Sequence, residues 1–200
     1  MPPENHRPLW SISMEFLLVI GLPLLVLLYC IGLFNRMVYL QQNRKNAFAD
    51  IDVQLKQRYD LVPQLVESVK GYATHEKDVL DSVTQARAGV TGKSGVDRAR
   101  LGAEQRLGSA LVDLYSVAEN YPALKADIHF RQLMDELADV ENKIAAARRF
   151  FNNATSEYNT MIQQFPASMV AGCKNFKPEL FYEDSSIDRA TLEKAPEVKF

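Results

Sequence analysis

Apolar positions along the chain form one continuous run followed by a series of helical stripes. Residues Phe16–Phe34 (FLLVIGLPLLVLLYCIGLF) are 19 consecutive positions without a charge, close to the ~20 residues with which a helix crosses the hydrocarbon core of a bilayer. The run exceeds the ~7–15-residue apolar core of a cleaved signal peptide. It exits through Asn35-Arg36-Met37-Val38-Tyr39, with no small-residue cleavage site. Tyr29 ahead of Cys30 is too bulky for a lipidation signal. The run is apolar all round, with no polar stripe, whereas a helix on the surface of a soluble domain keeps a polar face. It reads as a retained transmembrane helix, in which Gly21 and Pro23 are tolerated.

Beyond it the period becomes helical. Phe130, Leu137, Ile144, Phe151, Tyr158 and Phe165 recur every seven residues, and Leu133, Val140, Ala147, Ala154 and Met161 fill a second seam. Such a repeat packs a helix against near-antiparallel neighbours, and predicts a helix from about Ala126 to Gln164, ended by Phe165-Pro166. Leu65, Val69, Tyr72, Val79, Val83, Ala86 and Val90 form an earlier stripe, interrupted by Glu76. Pro63 fits its first turn and Asp60 its cap, and the connector Thr91-Gly92-Lys93-Ser94-Gly95 follows. A third stripe, Leu101, Leu107, Leu111, Leu114 and Ala118, predicts a helix from about Val96 to Asn120, closed by Tyr121-Pro122. Met37, Val38, Phe48, Ile51, Leu55 and Tyr59 give the continuation of the anchor an apolar face. Helix from Phe16 to Tyr59 would be about 65 Å long. The predicted fold class is all-α: an N-terminal transmembrane helix continuing into an antiparallel up-down four-helix bundle with short loops.

The pattern divides the chain into a short outer N-terminus (1–15), the span (16–34), a helical-bundle domain (35–183) and a flexible acidic tail (184–200). Arg7 precedes the span, whereas Arg36, Arg44, Lys45, Lys56 and Arg58 follow it. This asymmetry predicts the N-terminus outside and the bulk of the chain in the cytoplasm. The formal net charge of −2 offers no field for nucleic acid. Cys30 and Cys173 read as free thiols.

Catalytic constellations are absent from this pattern. His75-Glu76 opens like a zinc-protease motif, but the position of the second histidine holds Val79. No Glu-x-x-His of a di-iron bundle occurs. The expectation is therefore no enzyme, with no catalytic, cofactor or metal residues. Charges cluster instead beside apolar seams: Asp50, Asp52, Lys56, Arg58 and Asp60 around Ile51 and Leu55, and Arg148-Arg149 before Phe150-Phe151. They serve either as interhelix ion pairs or as a contact surface for a partner, where arginine and aromatic side chains concentrate binding energy. The candidate contacts are Asp52, Lys56, Arg58, Arg148, Arg149 and Phe150; Phe150 lies one step off the heptad and is expected to stay exposed. The alternative is an enzyme or small-ligand bundle with a polar pocket near Tyr72, Glu76 and Tyr158, which interrupt apolar seams.

The same stretches carry a family likeness. The block from Asp50 to Tyr72 (DIDVQLKQRYDLVPQLVESVKGY) strongly resembles the central block of the bacterial LemA family. The likeness continues at His75-Glu76, Ala86-Arg87, the stretch Ala118-Glu119-Asn120-Tyr121-Pro122 and the run Ala147-Arg148-Arg149-Phe150-Phe151-Asn152. It extends through Tyr158-Asn159, Phe165-Pro166, Phe176-Lys177-Pro178 and Phe181, covering about residues 35–183. The resemblance implies a single-pass protein of the bacterial inner membrane with a cytoplasmic helical bundle and no established catalytic activity. It implies an interaction or scaffold role, with the lipid bilayer and either further copies or another membrane protein as partners. An accessory role for a membrane zinc metallopeptidase of the HtpX type belongs to the same expectation.

Overall fold

The computed structural model describes residues 9–73, 75–90 and 98–182. Among these the chain is all-α, with six helices and no strand: α1 (Leu9–Lys70), α2 (Lys77–Val90), α3 (Arg98–Glu119), α4 (Pro122–Ala126), α5 (Ile128–Gln163) and α6 (Ala167–Cys173). The expected connector at 91–95, the far N-terminal residues 1–8 and the tail 184–200 lie outside the described residues.

Several helix boundaries differ from those the pattern predicts, and the second helix, expected from Asp60-Pro63, begins at Lys77. The first helix does not end near Tyr59. It runs to Lys70, with Pro63 in its interior, and the turn comes at residues 71–76. An interior proline lacks the N–H that would bond the carbonyl four residues back, here that of Tyr59. Arg87 Nε on α2 donates to that carbonyl at 2.8 Å, which removes one reason for the helix to break. The burial of Leu61, Val62, Leu65, Val66 and Val69 holds the continuing turns in the core. Pro122 does not simply close α3; it opens the short α4. Asp127 then caps α5, its Oδ1 accepting from the Phe130 N–H at 2.9 Å, which moves the start of α5 from the expected Ala126 to Ile128.

The described residues fall into two units, Met1–Lys45 with Ala154–Glu179, and Asn46–Asn153 with Leu180–Phe200. In the first, α1 pairs antiparallel with the end of α5. Met37 and Leu40 pack with Tyr158, Ile162 and, from α6, Ala167 and Ala171, while Leu33, Met161, Val170 and Phe176 flank the cluster. Further along α1, Arg44 Nε donates to Thr155 Oγ1 at 3.0 Å and Arg44 Nη1 pairs with Glu179 at 3.3 Å. Towards the N-terminus α1 is long and apolar enough to cross a bilayer, and none of its most apolar window is buried within the chain. Leu22, Leu25 and Leu28 are all more than half exposed. A contiguous apolar surface of this kind suggests a single-pass membrane anchor.

The second unit brings together four long helical segments and the short α4. Phe48 and Arg58 of α1 meet Phe151 and Glu141 of α5, so these two run antiparallel. Asp52 and Arg58 meet Arg100 and Glu104 of α3 in rising order, so α1 and α3 run parallel. Tyr59 meets Arg87 of α2. These registers are those of an up-down-up-down bundle. Leu107, Leu111, Leu114, Leu137, Val140 and Ile144 fill its interior with Ile51 and Leu55. The heptad of α5 holds from Phe130 to Tyr158, all buried, and then fails: Phe165 is 82% exposed because the helix ends at Gln163. Tyr182, expected at the edge of the loose tail, is buried.

Candidate functional site: a buried ionic cluster beside an apolar groove

Within the second unit, the stripe on α3 begins earlier than its leucines. Arg100 and Glu104 precede Leu107, Leu111 and Leu114 at helical spacing, and both are buried at 4% exposure. Arg58 continues the Ile51–Leu55 seam of α1 in the same way and is 3% exposed. The three side chains interlock. Arg58 Nη2 and the Tyr59 hydroxyl both donate to the Glu104 carboxylate. Arg58 Nη1 bonds Glu141 Oε1 at 3.1 Å, Arg100 Nη2 bonds Asp52 Oδ1 at 2.5 Å, and Arg100 Nε lies 3.8 Å from Glu104. Arg100 also stacks over the Phe48 ring, 5.6 Å from its centroid.

Burial and then the Glu104 carboxylate push the Tyr59 phenol well above its ordinary value, against the lowering pull of Arg58 and Arg100. The phenol therefore stays a neutral donor. Burial alone would lower the Arg100 guanidinium, but the bond to Asp52, its charge and the nearby Tyr182 and Tyr59 together outweigh it and the net shift is upward. Two guanidinium groups thus face three carboxylates, two of which, Asp52 and Glu141, reach solvent at 42% and 43% exposure. Such a cluster orients helices; a buried ion pair is worth little net, whereas removing one partner strands a charge.

Of the candidate contacts, Arg58 is buried and enclosed by Glu104 and Glu141. Asp52 is tied to Arg100, and Lys56 pairs with Asp60 on the same helix face at 2.5 Å. Arg148 is half-buried, its guanidinium 5.0 Å over the Tyr182 ring. Arg149 and Phe150 are exposed, Phe150 at 51%. Tyr72 is exposed and donates to Asp127 Oδ2 at 3.0 Å, which raises its own phenol and helps lower the Asp127 carboxyl. Glu76 accepts from the Tyr121 hydroxyl at 3.2 Å. These two tyrosine–carboxylate bonds tie the α1–α2 turn to the α3–α4–α5 corner. Tyr158 is buried in the cluster of the first unit.

Two features escape the sequence patterns. Asn159 and Asn152, seven residues apart on α5, grip the returning C-terminal segment in identical fashion. Asn159 donates to the Glu179 carbonyl at 2.9 Å and accepts from the Glu179 N–H at 2.8 Å. Asn152 does the same with Tyr182 at 3.1 and 2.8 Å. Each amide substitutes for a missing backbone partner. The other feature is a groove of about 460 Å³ between α3 and α5, lined by Gly108, Leu111, Val112, Tyr115, Met134, Leu137, Ala138 and Glu141. Val112 (64%) and Tyr115 (47%) stand exposed on its rim. Its one ionised group, Glu141, is the carboxylate that reaches Arg58. Among the described residues, no group of three or more His, Cys, Asp or Glu side chains is placed to hold a metal ion.

Magnetosome protein MamQ of Magnetospirillum gryphiswaldense is 25% identical over 181 residues, covering 78% of this chain and 66% of its own. Magnetosome protein MamQ 2 of Paramagnetospirillum magneticum is 24% identical over 176 residues, covering 76% and 65%. Protein LemA of Metamycoplasma hominis is 25% identical over 178 residues, covering 89% and 80%. The chain thus spans slightly less than two thirds of the MamQ proteins it matches. The model of the LemA family matches residues 47–200, which includes the ionic cluster, the groove and both asparagines, and the chain belongs to the LemA family.

Proposed function

We propose that this protein is a non-enzymatic, membrane-anchored interaction or scaffold protein, held in the bacterial inner membrane with its helical bundle on the cytoplasmic side. The basic residues Arg36, Arg44 and Lys45 directly after the span support that orientation. The observation that carries the reading is the α3–α5 groove: an apolar floor with an exposed aromatic rim and a single carboxylate, open to an incoming helix. The occupant is an apolar helix face from another membrane protein, with a zinc metallopeptidase of the HtpX type as one candidate, or from a second copy of this chain. The ionic cluster supports a structural role, because Arg58, Arg100 and Glu104 bond to one another and to the neighbouring carboxylates Asp52 and Glu141 across helices. Photo-crosslinkers placed in living cells at Val112, Tyr115, Arg149 and Phe150 test this. Capture of one defined membrane protein, or of a second copy, through Val112 and Tyr115 is the expected result. Absence of adducts at all four positions in correctly inserted protein would refute it.

A further inference from the structure

We propose that the Phe165–Lys177 segment, including α6, is a membrane-surface element that seats in the lipid headgroup zone beside the point where α1 leaves the bilayer. The inference rests on the anchor reading of Phe16–Phe34, and all of its evidence lies in the first unit. Leu33 and Phe34 are the last two residues of the apolar run. Leu33 packs against the cluster that contains Ala167 and Ala171 of α6. The Phe34 ring lies 5.9 Å from that of Phe176 and 5.9 Å from Lys174 Nζ. These contacts fix the height of the segment: it lies level with the end of the span. Its unpartnered side chains suit that height. Phe165 is 82% and Met169 66% exposed, and nothing within the unit covers them. Lys174 and Lys177 are exposed, as is Arg36 on the neighbouring turn of α1.

Large apolar side chains flanked by lysines match the boundary between acyl chains and headgroups, which an interfacial helix enters to about 5–10 Å. The lysines can bury their stems there and direct their ammonium groups to phosphates. In water, Phe165 and Met169 would remain an isolated apolar patch with no compensating contact. Lipid is the occupant favoured over a second protein because the segment that carries these side chains is seated on Leu33 and Phe34, the end of the span itself.

The test uses the full chain, with Cys30 and Cys173 changed to serine, in vesicles of phosphatidylethanolamine and phosphatidylglycerol. An environment-sensitive fluorophore is attached at M169C, and separately at F165C in case one variant folds poorly. S156C is the control outside the interface. Thr155 beside it bonds Arg44, which is ten residues past Phe34 on α1 and so about 15 Å further from the span along the helix axis. L25C reports the anchor. The expected result is a blue shift at M169C and F165C with loss of emission to a headgroup nitroxide lipid. S156C should keep its emission, and L25C should lose it to a mid-chain nitroxide. Quenching at L25C with M169C and F165C behaving like S156C overturns the inference and leaves the anchor standing. Disulfide dimers at M169C without quenching also overturn it, because a second copy then covers the patch. No quenching at L25C overturns the anchor, and this inference with it.

Discussion

The cleanest perturbation concerns Arg87. If its bond to the Tyr59 carbonyl exists because Pro63 leaves that carbonyl without its helical donor, the two residues must be energetically coupled despite lying 24 positions apart. A hydrogen bond to a charged group contributes ~1.5–3 kcal/mol; Arg87 and Tyr59 are only half-buried, so the lower part, about 1–2 kcal/mol, applies. R87M keeps the aliphatic stem and removes the donor. In P63A the residue at position 63 regains its N–H, which can bond Tyr59 in the ordinary helical way, and interior proline is itself ~3 kcal/mol less favourable than alanine. R87M should therefore cost about 1–2 kcal/mol in the native background and under about 0.5 kcal/mol in P63A, a coupling measurable in a double-mutant cycle. Urea or thermal unfolding of the four proteins in one detergent, followed by helical circular dichroism, reads it out. Each kcal/mol corresponds to roughly 2–4 °C in a chain of this size. Equal losses in both backgrounds would refute the rescue and leave Arg87 as an ordinary surface contact.

Other outcomes follow from the same geometry. E104A leaves the buried Arg58 with only the half-exposed Glu141 as a carboxylate partner and should cost up to about 3–5 kcal/mol in the same unfolding assay. D52A, whose carboxylate is 42% exposed, should cost clearly less; equal costs would contradict the burial difference. N152A removes both bonds to Tyr182, about 0.5–1.5 kcal/mol each, and should speed proteolytic cleavage near residue 182, with N159A doing the same near Glu179. The Phe130 N–H and then the Tyr72 hydroxyl hold the Asp127 carboxyl below its ordinary value. Its contribution is therefore fully present above the unfolded carboxylate pKa, about 3.9, and is lost as pH falls through the lower native value. D127N should flatten the acid limb of unfolding midpoint against pH; an unchanged limb would refute the cap.

Repetition was legible in the chain, and so was chemical type. The seven-residue spacing from Phe130 to Tyr158 located the long C-terminal helix to within two residues at its start. The leucines of α3 and the Ile51–Leu55 seam named core positions that are buried. What failed had non-local causes. Pro63 reads locally as a first-turn residue, and only a side chain arriving from another helix makes it acceptable in an interior. Phe165 fits the heptad, but the helix it belongs to has already ended. The cap at Asp127 depends on the preceding α4 turn.

The ionic cluster was hidden for a different reason. Arg58, Arg100 and Glu104 occupy seam positions by spacing, Arg58 three residues after Leu55 and Glu104 three before Leu107, yet a reading that counts only apolar residues as core assigns them to the surface. The usable signal was the continuation of each stripe through opposite charges on two helices. That combination costs too much in desolvation to be buried unless the partners meet. The asparagines gave a similar signal, each standing one position after a buried aromatic of the heptad, Phe151 and Tyr158, where it borders the seam without filling it. Polar residues in such positions are where this chain fixes its register. In the second unit that leaves the uncommitted surface to the groove rim at Val112 and Tyr115, and to Arg149 and Phe150. A search for partners belongs there rather than at the conspicuous charges around Leu55.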